Sequence, residues 1–220
     1  MKQVSIPFSI TLESETLIGS GYGYGVVIDS DVVYDDDGFP YIPGKRIKGL
    51  LRDSAEELAD ILQLTDKSTL IRELFGTKGS DESAKVYFSD FALQNVTATK
   101  QQLSYFSQKY AGFINPETVI DSFTSIRRQT AIDQEKGIAR DTSLRTLRVL
   151  KSGIVFTGEI SALDIQDRSL ELLHLAIIGL RRIGTRRNKG LGEVSTKLNN
   201  NKHKDYVGGA QLLTGKEVQG

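Results

Sequence analysis

The order of hydrophobic periods along the chain constrains its fold most. In "QVSIPFSITLE", Val4, Ile6, Phe8, Ile10 and Leu12 alternate with other residues, the period of a strand buried on one face. Pro7 lies inside that run and has no N–H to give a sheet, so it points to an edge position or a bulge. In "KRIKGLLRDSAEELADILQL", Ile47, Leu50, Leu51, Ala55, Leu58, Ile61 and Leu62 recur at helical spacing. "LIRELFGT" reads as a short helix closed by Gly76, and "AKVYFSDFAL" as one strand. "RTLRVLKSGIVFTGEISAL" reads as two strands around a turn at Lys151-Ser152-Gly153. "DRSLELLHLAIIGLRRIG" is a second helix, apolar nearly all round and therefore deeply packed, and "LGEVSTKL" is a last strand.

The segments between are weaker. "IDSDVVYDDDGFPYIPG" reads as a short strand, a turn at Asp36-Asp37-Gly38 and a second short strand ending at Pro43-Gly44. Residues from Gln94 to Ser122 are polar and weakly periodic, which suggests an insertion or loop. The tail "NNNKHKDYVGGAQLLTGKEVQG" reads as polar and partly mobile. With these set aside, the order is βαββαβ. That is the ferredoxin-like plan of the α+β class, shared with RNA-binding RRM domains and here enlarged by insertions.

A chain of 220 residues suits one large domain or two small ones, and no repeat or linker argues for two. We therefore expect a single domain over 1–220. There is no cysteine, so neither a disulfide framework nor thiolate chemistry is available. Two histidines without cysteine argue against a structural zinc site. The N-terminus lacks a signal-peptide plan and no run is long enough to span a bilayer, so a cytoplasmic protein without a membrane partner is expected.

Formal net charge is zero, yet the charges are separated. Acids gather at Asp29 to Asp37, while cations gather in three segments. "IPGKRIKGLLR" sets Lys45, Arg46, Lys48 and Arg52 at a helix start, where cations oppose the helix dipole unless an anion is held there. "SFTSIRRQTAIDQEKGIARDTSLRTLRVL" adds Arg127, Arg128, Arg140, Arg145 and Arg148. "RRIGTRRNKGLGEV" adds Arg181, Arg182, Arg186, Arg187 and Lys189, threaded with Gly184, Gly190 and Gly192. This last run lacks the G-K-[ST] order of a Walker A loop, and it follows a helix and precedes a strand, the wrong context for a nucleotide cradle. Three basic segments on one small domain suit a groove that grips a polyanion backbone.

These residues fall into motifs that resemble the RAMP superfamily of CRISPR-associated proteins, and more narrowly the backbone subunit of type III (Csm/Cmr-type) effector complexes. "DDGFPYIPGKRIKGLLR" resembles D-x-x-G-x-P-x-I-P-G-S-S-x-K-G-x-x-R, with Lys45-Arg46 in place of two small polar residues. "LFGT…AKVYFSDFAL" resembles an F-G segment followed by a strand ending in Asp. "IDQEKGIARDTSLRTLRVLKSGIVFTGEI" resembles D-R-x-T-G-x-A-x-x-G-S-L-R-x-x-E-x-x-x-x-G-x-x-F, and "RRNKGLGEV" resembles G-R-x-R-x-x-G-x-G-x-V. Together they cover most of the chain in the family's order.

The resemblance implies a subunit that repeats as a helical filament along a CRISPR guide RNA, beside other RAMP and large subunits. It implies a thumb-like hairpin, expected within 94–150, that interrupts the guide–target duplex. Lys45, Arg46, Lys48, Arg52, Arg127, Arg128, Arg140, Arg182, Arg186, Arg187, Lys189 and Gly190 are then RNA-binding candidates. It also implies cleavage of target RNA by one Asp with a divalent metal, Mg²⁺ or Mn²⁺. The matching stretch is "VIDSDVVYDDDGFPYIPG", which carries that role to Asp29, as catalytic residue and metal ligand. Position 31 is Asp where the family has Pro, so Asp31 is a second catalytic candidate. A single carboxylate suffices for Mg²⁺, which keeps several waters. The competing readings are a structural subunit that does not cut, and a guide-processing endoribonuclease that needs no metal. The latter often uses a His, but His174 in "ELLHLAII" reads as packed and His203 as solvated. Tyr22 and Tyr24 could stack on bases, and the region of Asp133, Lys136 and Arg140 is expected to meet RNA.

Overall fold

The computed structural model describes residues 3–21, 28–77, 85–110, 113–130, 144–199 and 206–215. Strand β1 (Gln3–Leu12) buries Ile6, Phe8, Ile10 and Leu12, the alternating set expected from its sequence. Helix α1 (Gly44–Ile61) buries Ile47, Leu51, Ala55 and Ala59. Ile61 departs from the periodic reading: it lies in the last turn and is exposed. Helix α2 (Lys67–Phe75) ends at Gly76, whose φ of 70° with ψ of −177° is an extended positive-φ conformation open to glycine and closed to residues with a Cβ.

"AKVYFSDFAL" is two strands rather than one. Strands β3 (Val86–Phe88) and β4 (Phe91–Leu93) break at Ser89-Asp90, where the start of α1 presses in. The Gly44 N–H donates to Asp90 Oδ1 at 2.7 Å, and a Cβ on Gly44 would stand 2.3 Å from the Phe88 carbonyl oxygen. β4 pairs with the short β2 (Tyr41–Ile42), and both β3 and β4 pair with β7 (Val155–Leu163). Phe91 lies over Gly158 of β7, where a Cβ would meet its ring at 2.4 Å, and its ring centroid is 4.6 Å from that of Phe8. Phe8, Phe91 and Phe156 are wholly buried, and truncating one of them would cost about 3–5 kcal/mol.

Helix α5 (Asp167–Gly179) and strand β8 (Val194–Leu198) complete the core. The main sheet runs β2-β4-β7-β1-β8, with antiparallel pairing throughout. The order of β1, α1, β4, β7, α5 and β8 along the chain, with β7 and β1 in the middle of the sheet, is the ferredoxin-like arrangement. Helices α1, α2 and α5 pack together over the buried face, and residues 172–177 of α5 are all buried.

Pro7 does not sit on an edge, because β1 pairs with β7 on one side and β8 on the other. The exception is local. The Pro7 carbonyl accepts from Asn199 N–H at 2.9 Å, one residue past the end of β8, so its missing N–H falls where the neighbouring strand stops.

Between β4 and β7 the chain is more ordered than a polar loop. It forms α3 (Val96–Lys109), α4 (Pro116–Phe123), β5 (Thr124–Gln129) and β6 (Arg145–Leu150). Helix α4 starts with a capping box between Asn115 and Thr118 and a proline in its first turn. Lys100 of α3 reaches Asp35 and Asp37, both at 2.7 Å, so the acidic turn is a docking point for α3. Strands β5 and β6 form a two-stranded antiparallel hairpin from Thr124↔Leu150 to Gln129↔Arg145. The two strands flanking Lys151-Ser152-Gly153 thus belong to different sheets. One buried cluster runs from the main sheet to Ile120, Leu147 and Val149. The tail also holds structure: α6 (Tyr206–Thr214) packs on α5, and Arg168 Nη1 donates to the Leu213 carbonyl at 2.7 Å. Among the described residues, no helix is long and apolar enough to cross a membrane.

Candidate nucleic-acid interface

The acidic loop, the start of α1 and the glycine-rich run after α5 meet at one cavity of about 250 Å³. Single bridges align the backbone there. Leu17 pairs with Thr185, Gly19 with Val32, and Ser30 with Leu147 of β6. Asp29, Asp31, Arg46 and Arg186 all line the cavity, although they are far apart in sequence.

The two aspartates have different surroundings. Asp31 is buried, with its side chain 5% exposed, and Arg148 Nη1 lies 3.1 Å from its Oδ2. The Val32 N–H also donates to Asp31 Oδ1 at 2.8 Å. Asp29 is open, with its side chain 35% exposed. Its Oδ2 accepts from the Thr146 N–H at 2.7 Å, and its Oδ1 accepts from Arg145 Nη1 at 2.9 Å. The Thr146 N–H, then Arg145, hold its carboxyl below the usual carboxylate range. Asp29 is therefore ionised and fixed in direction, with lone pairs left for a further ligand. A carboxylate held ionised this way is a poor proton acceptor and a good cation ligand. Among the described residues, no three acidic, His or Cys side chains gather into a metal cage, so a cation at Asp29 would need ligands from RNA and water.

The basic candidates divide. Arg46 and Arg186 face the cavity. Lys45 is exposed and Lys48 half-buried on the first turns of α1. Arg187 and Lys189 are exposed on a 3₁₀ turn, and Arg182 Nη1 props that turn by donating to the Arg187 carbonyl at 2.8 Å. Arg52 is not brought to this group. Its Nε lies 2.9 Å from Glu56 Oε1, and its Nη1 donates to the Gly76 carbonyl at the end of α2. Arg127 of β5 lies 3.5 Å from Glu15, and Arg128 is exposed on the other face of the strand. Arg140, with Asp133 and Lys136, lies outside the described residues, as do Tyr22, Tyr24 and His203. His174 is buried in α5, as its apolar setting suggested.

The glycines of the run have separate reasons. A Cβ on Gly192 would stand 2.0 Å from the Ile183 carbonyl oxygen, and one on Gly184 would stand 2.5 Å from that of Leu17. Both permit backbone to approach backbone. Gly190 has open space around it and needs only its φ of 73°. Arg145 and Arg148, grouped in sequence with the RNA-binding candidates, instead turn onto the two aspartates. Gln129 was not visible as a site residue. It accepts from Arg186 Nη1 at 2.9 Å, and nothing in a polar strand end marks such a contact.

A model of the RAMP superfamily matches residues 9–195. Two solved structures are similar over nearly the whole chain. One is described as a cryo-EM structure of the Type III-B Cmr-beta bound to cognate target RNA, with TM-score 0.66, 15% identity, and coverage of 89% of this chain and 97% of that one. The other is the Type III-B Cmr-beta in its apo state, with TM-score 0.66, 15% identity, and coverage of 90% and 98%. No curated protein matches the chain.

Proposed function

Because the chain belongs to the RAMP superfamily, we propose that it is a guide-RNA-binding backbone subunit of a type III CRISPR effector complex and that it cleaves complementary target RNA at Asp29. The observation that carries this reading is the cavity that joins an open, ionised carboxylate to Arg46 and Arg186. The similarity to a Cmr-beta subunit from a complex holding cognate target RNA supports it. The exposed cations Lys45, Arg187 and Lys189 hold RNA backbone, and sequence readout is left to base pairing. Other copies of the chain and other complex subunits are its partners.

Asp29 is the residue that would hold a divalent cation, Mg²⁺ or Mn²⁺, with oxygens from RNA and water completing its shell. Such an ion, when bound, neutralises charge on the phosphate and eases deprotonation of the attacking hydroxyl. RNA carries its own nucleophile. The 2′-oxygen bonds to phosphorus as the bond to the 5′-oxygen breaks, the 2′ proton leaves to solvent, and the 5′-oxygen takes one up. Thr146 and Arg145 hold the carboxylate ionised and in place through this step.

One observation favours a structural subunit that does not cut: each Asp29 oxygen already accepts a hydrogen bond. Assembly of the complex on guide RNA decides between the two. Complementary RNA should be cut at regular positions with Mg²⁺ and left whole with chelator. Intact target under both conditions would support the structural reading, and cutting that survives chelator would contradict the metal.

A further inference from the structure

Four charged side chains line the cavity, and two of them are already matched. Arg145 pairs with Asp29 and Arg148 with Asp31. Arg46 and Arg186 have no carboxylate partner among the described residues. Each is held instead by a neutral oxygen. Arg46 donates to the Gly19 carbonyl, and Arg186 Nη1 donates to Gln129 Oε1 at 2.9 Å. Elsewhere Arg52 is held by Glu56 and Arg168 by Asp66. A carboxylate fixes a guanidinium and cancels its charge, whereas an amide or carbonyl oxygen fixes it and leaves the charge whole. Arg186 also has a φ of 59°, a left-handed conformation that side-chain-bearing residues rarely adopt. The fold holds it there nonetheless.

The cavity thus presents two aimed, uncancelled positive charges beside the open carboxylate. A phosphodiester carries one negative charge, and the pentacoordinate state reached during cleavage carries a second. Two preset guanidiniums suit the second state better than the first, which is the condition for accelerating the step.

We propose that Arg46 and Arg186 bind the target-strand phosphate that reacts beside Asp29, and that Gln129 is a positioning residue that keeps Arg186 aimed and charged. The inference rests on the reading of Asp29 as the cutting carboxylate and assigns these two arginines to the target strand, not to the guide.

Complexes assembled on guide RNA with Arg186→Ala, Gln129→Glu and Gln129→Met test it. Two quantities are read: cleavage rate at saturating target, and the salt dependence of target binding. Gln129→Glu keeps the acceptor and its shape but cancels the charge of Arg186. Because residue 129 faces Arg145 across the hairpin, Gln129→Met separates the effects by removing the acceptor without adding an acid. Arg186→Ala and Gln129→Glu should lower the saturating rate on the order of a hundredfold. Both should also reduce the salt slope of target binding by about one. Gln129→Met should lower the rate less, with the slope kept. An unchanged slope or an unchanged saturating rate in Arg186→Ala and Gln129→Glu overturns the proposal, as does a defect confined to guide loading. Asp29→Ala is measured alongside. If it still cuts, the reading of Asp29 fails, and the arginine variants are judged by their own rates. If the wild-type complex does not cut at all, the cleavage reading fails and the salt slope alone decides the phosphate site.

Discussion

Arg148 of β6 and Asp31 of the acidic loop form a buried ion pair, Nη1 to Oδ2 3.1 Å, across 117 residues of chain. This pair determines which aspartate stays available to a ligand, because it occupies Asp31 and leaves Asp29 open. Removing Asp31 takes away the close, buried counter-charge of Arg148 and leaves it the more exposed Asp121 carboxylate, 3.5 Å from its Nη2. Asp31→Ala should therefore destabilise the fold by about 3 kcal/mol, the low end for a broken buried pair, read by urea or thermal unfolding. Any loss of cutting should follow the loss of folded protein. A stable Asp31→Ala variant that cannot cut would reverse the roles of the two aspartates.

The basic residues should separate by function. Arg52→Ala should leave the salt dependence of RNA binding unchanged and cost about 0.5–1 kcal/mol of stability, because its side chain is engaged by Glu56 and the end of α2. Lys189→Ala, on the exposed turn, should reduce the salt slope by about one without moving stability. Fluorescence anisotropy across a salt series measures both.

Glycine positions in the same run should differ. Gly190→Ala should cost about 1–2 kcal/mol, the expense of a left-handed φ with open space around it. Gly192→Ala should cost more, since its Cβ would also overlap the Ile183 carbonyl. Equal unfolding midpoints for the two would contradict the close backbone approach at Gly192.

The acid limb of stability should depend on Asp66. Arg168 holds its carboxyl below the usual carboxylate range through bonds of 3.0 Å to each oxygen. The folded value is thus lower than the unfolded one. Its contribution is complete above the ordinary carboxylate pKa and is lost as pH falls through the lower folded value. Asp66→Asn should lower the melting temperature at neutral pH and flatten the decline on acidification. A parallel decline in both proteins would contradict the assignment.

The core was legible because its periods are strong. Ile6, Phe8 and Ile10 alternate in β1, Ile47, Leu51 and Ala55 follow helical spacing in α1, and each set is buried as its spacing implies. Helices α3 and α4 were not legible. α3 leaves Tyr105 and Phe106 exposed and is docked by Lys100 on Asp35 and Asp37, a contact between residues some sixty positions apart. A break such as Ser89-Asp90 depends on the start of α1 pressing against it, and so cannot be read from the strand itself. The position of Asp29 came from its motif. Its isolation from Asp31 needed Arg148, whose inward turn is a property of the folded hairpin.

The most direct measurement compares wild-type and Asp29→Ala chains in complexes assembled on the same guide RNA, scored for cutting and for binding of complementary RNA. Asp29 is exposed and its contacts are at the surface, so the variant should fold and bind target as wild type does. The account predicts that cutting opposite this subunit falls at least about a hundredfold while target affinity stays unchanged. Undiminished cutting by Asp29→Ala at those positions would contradict it.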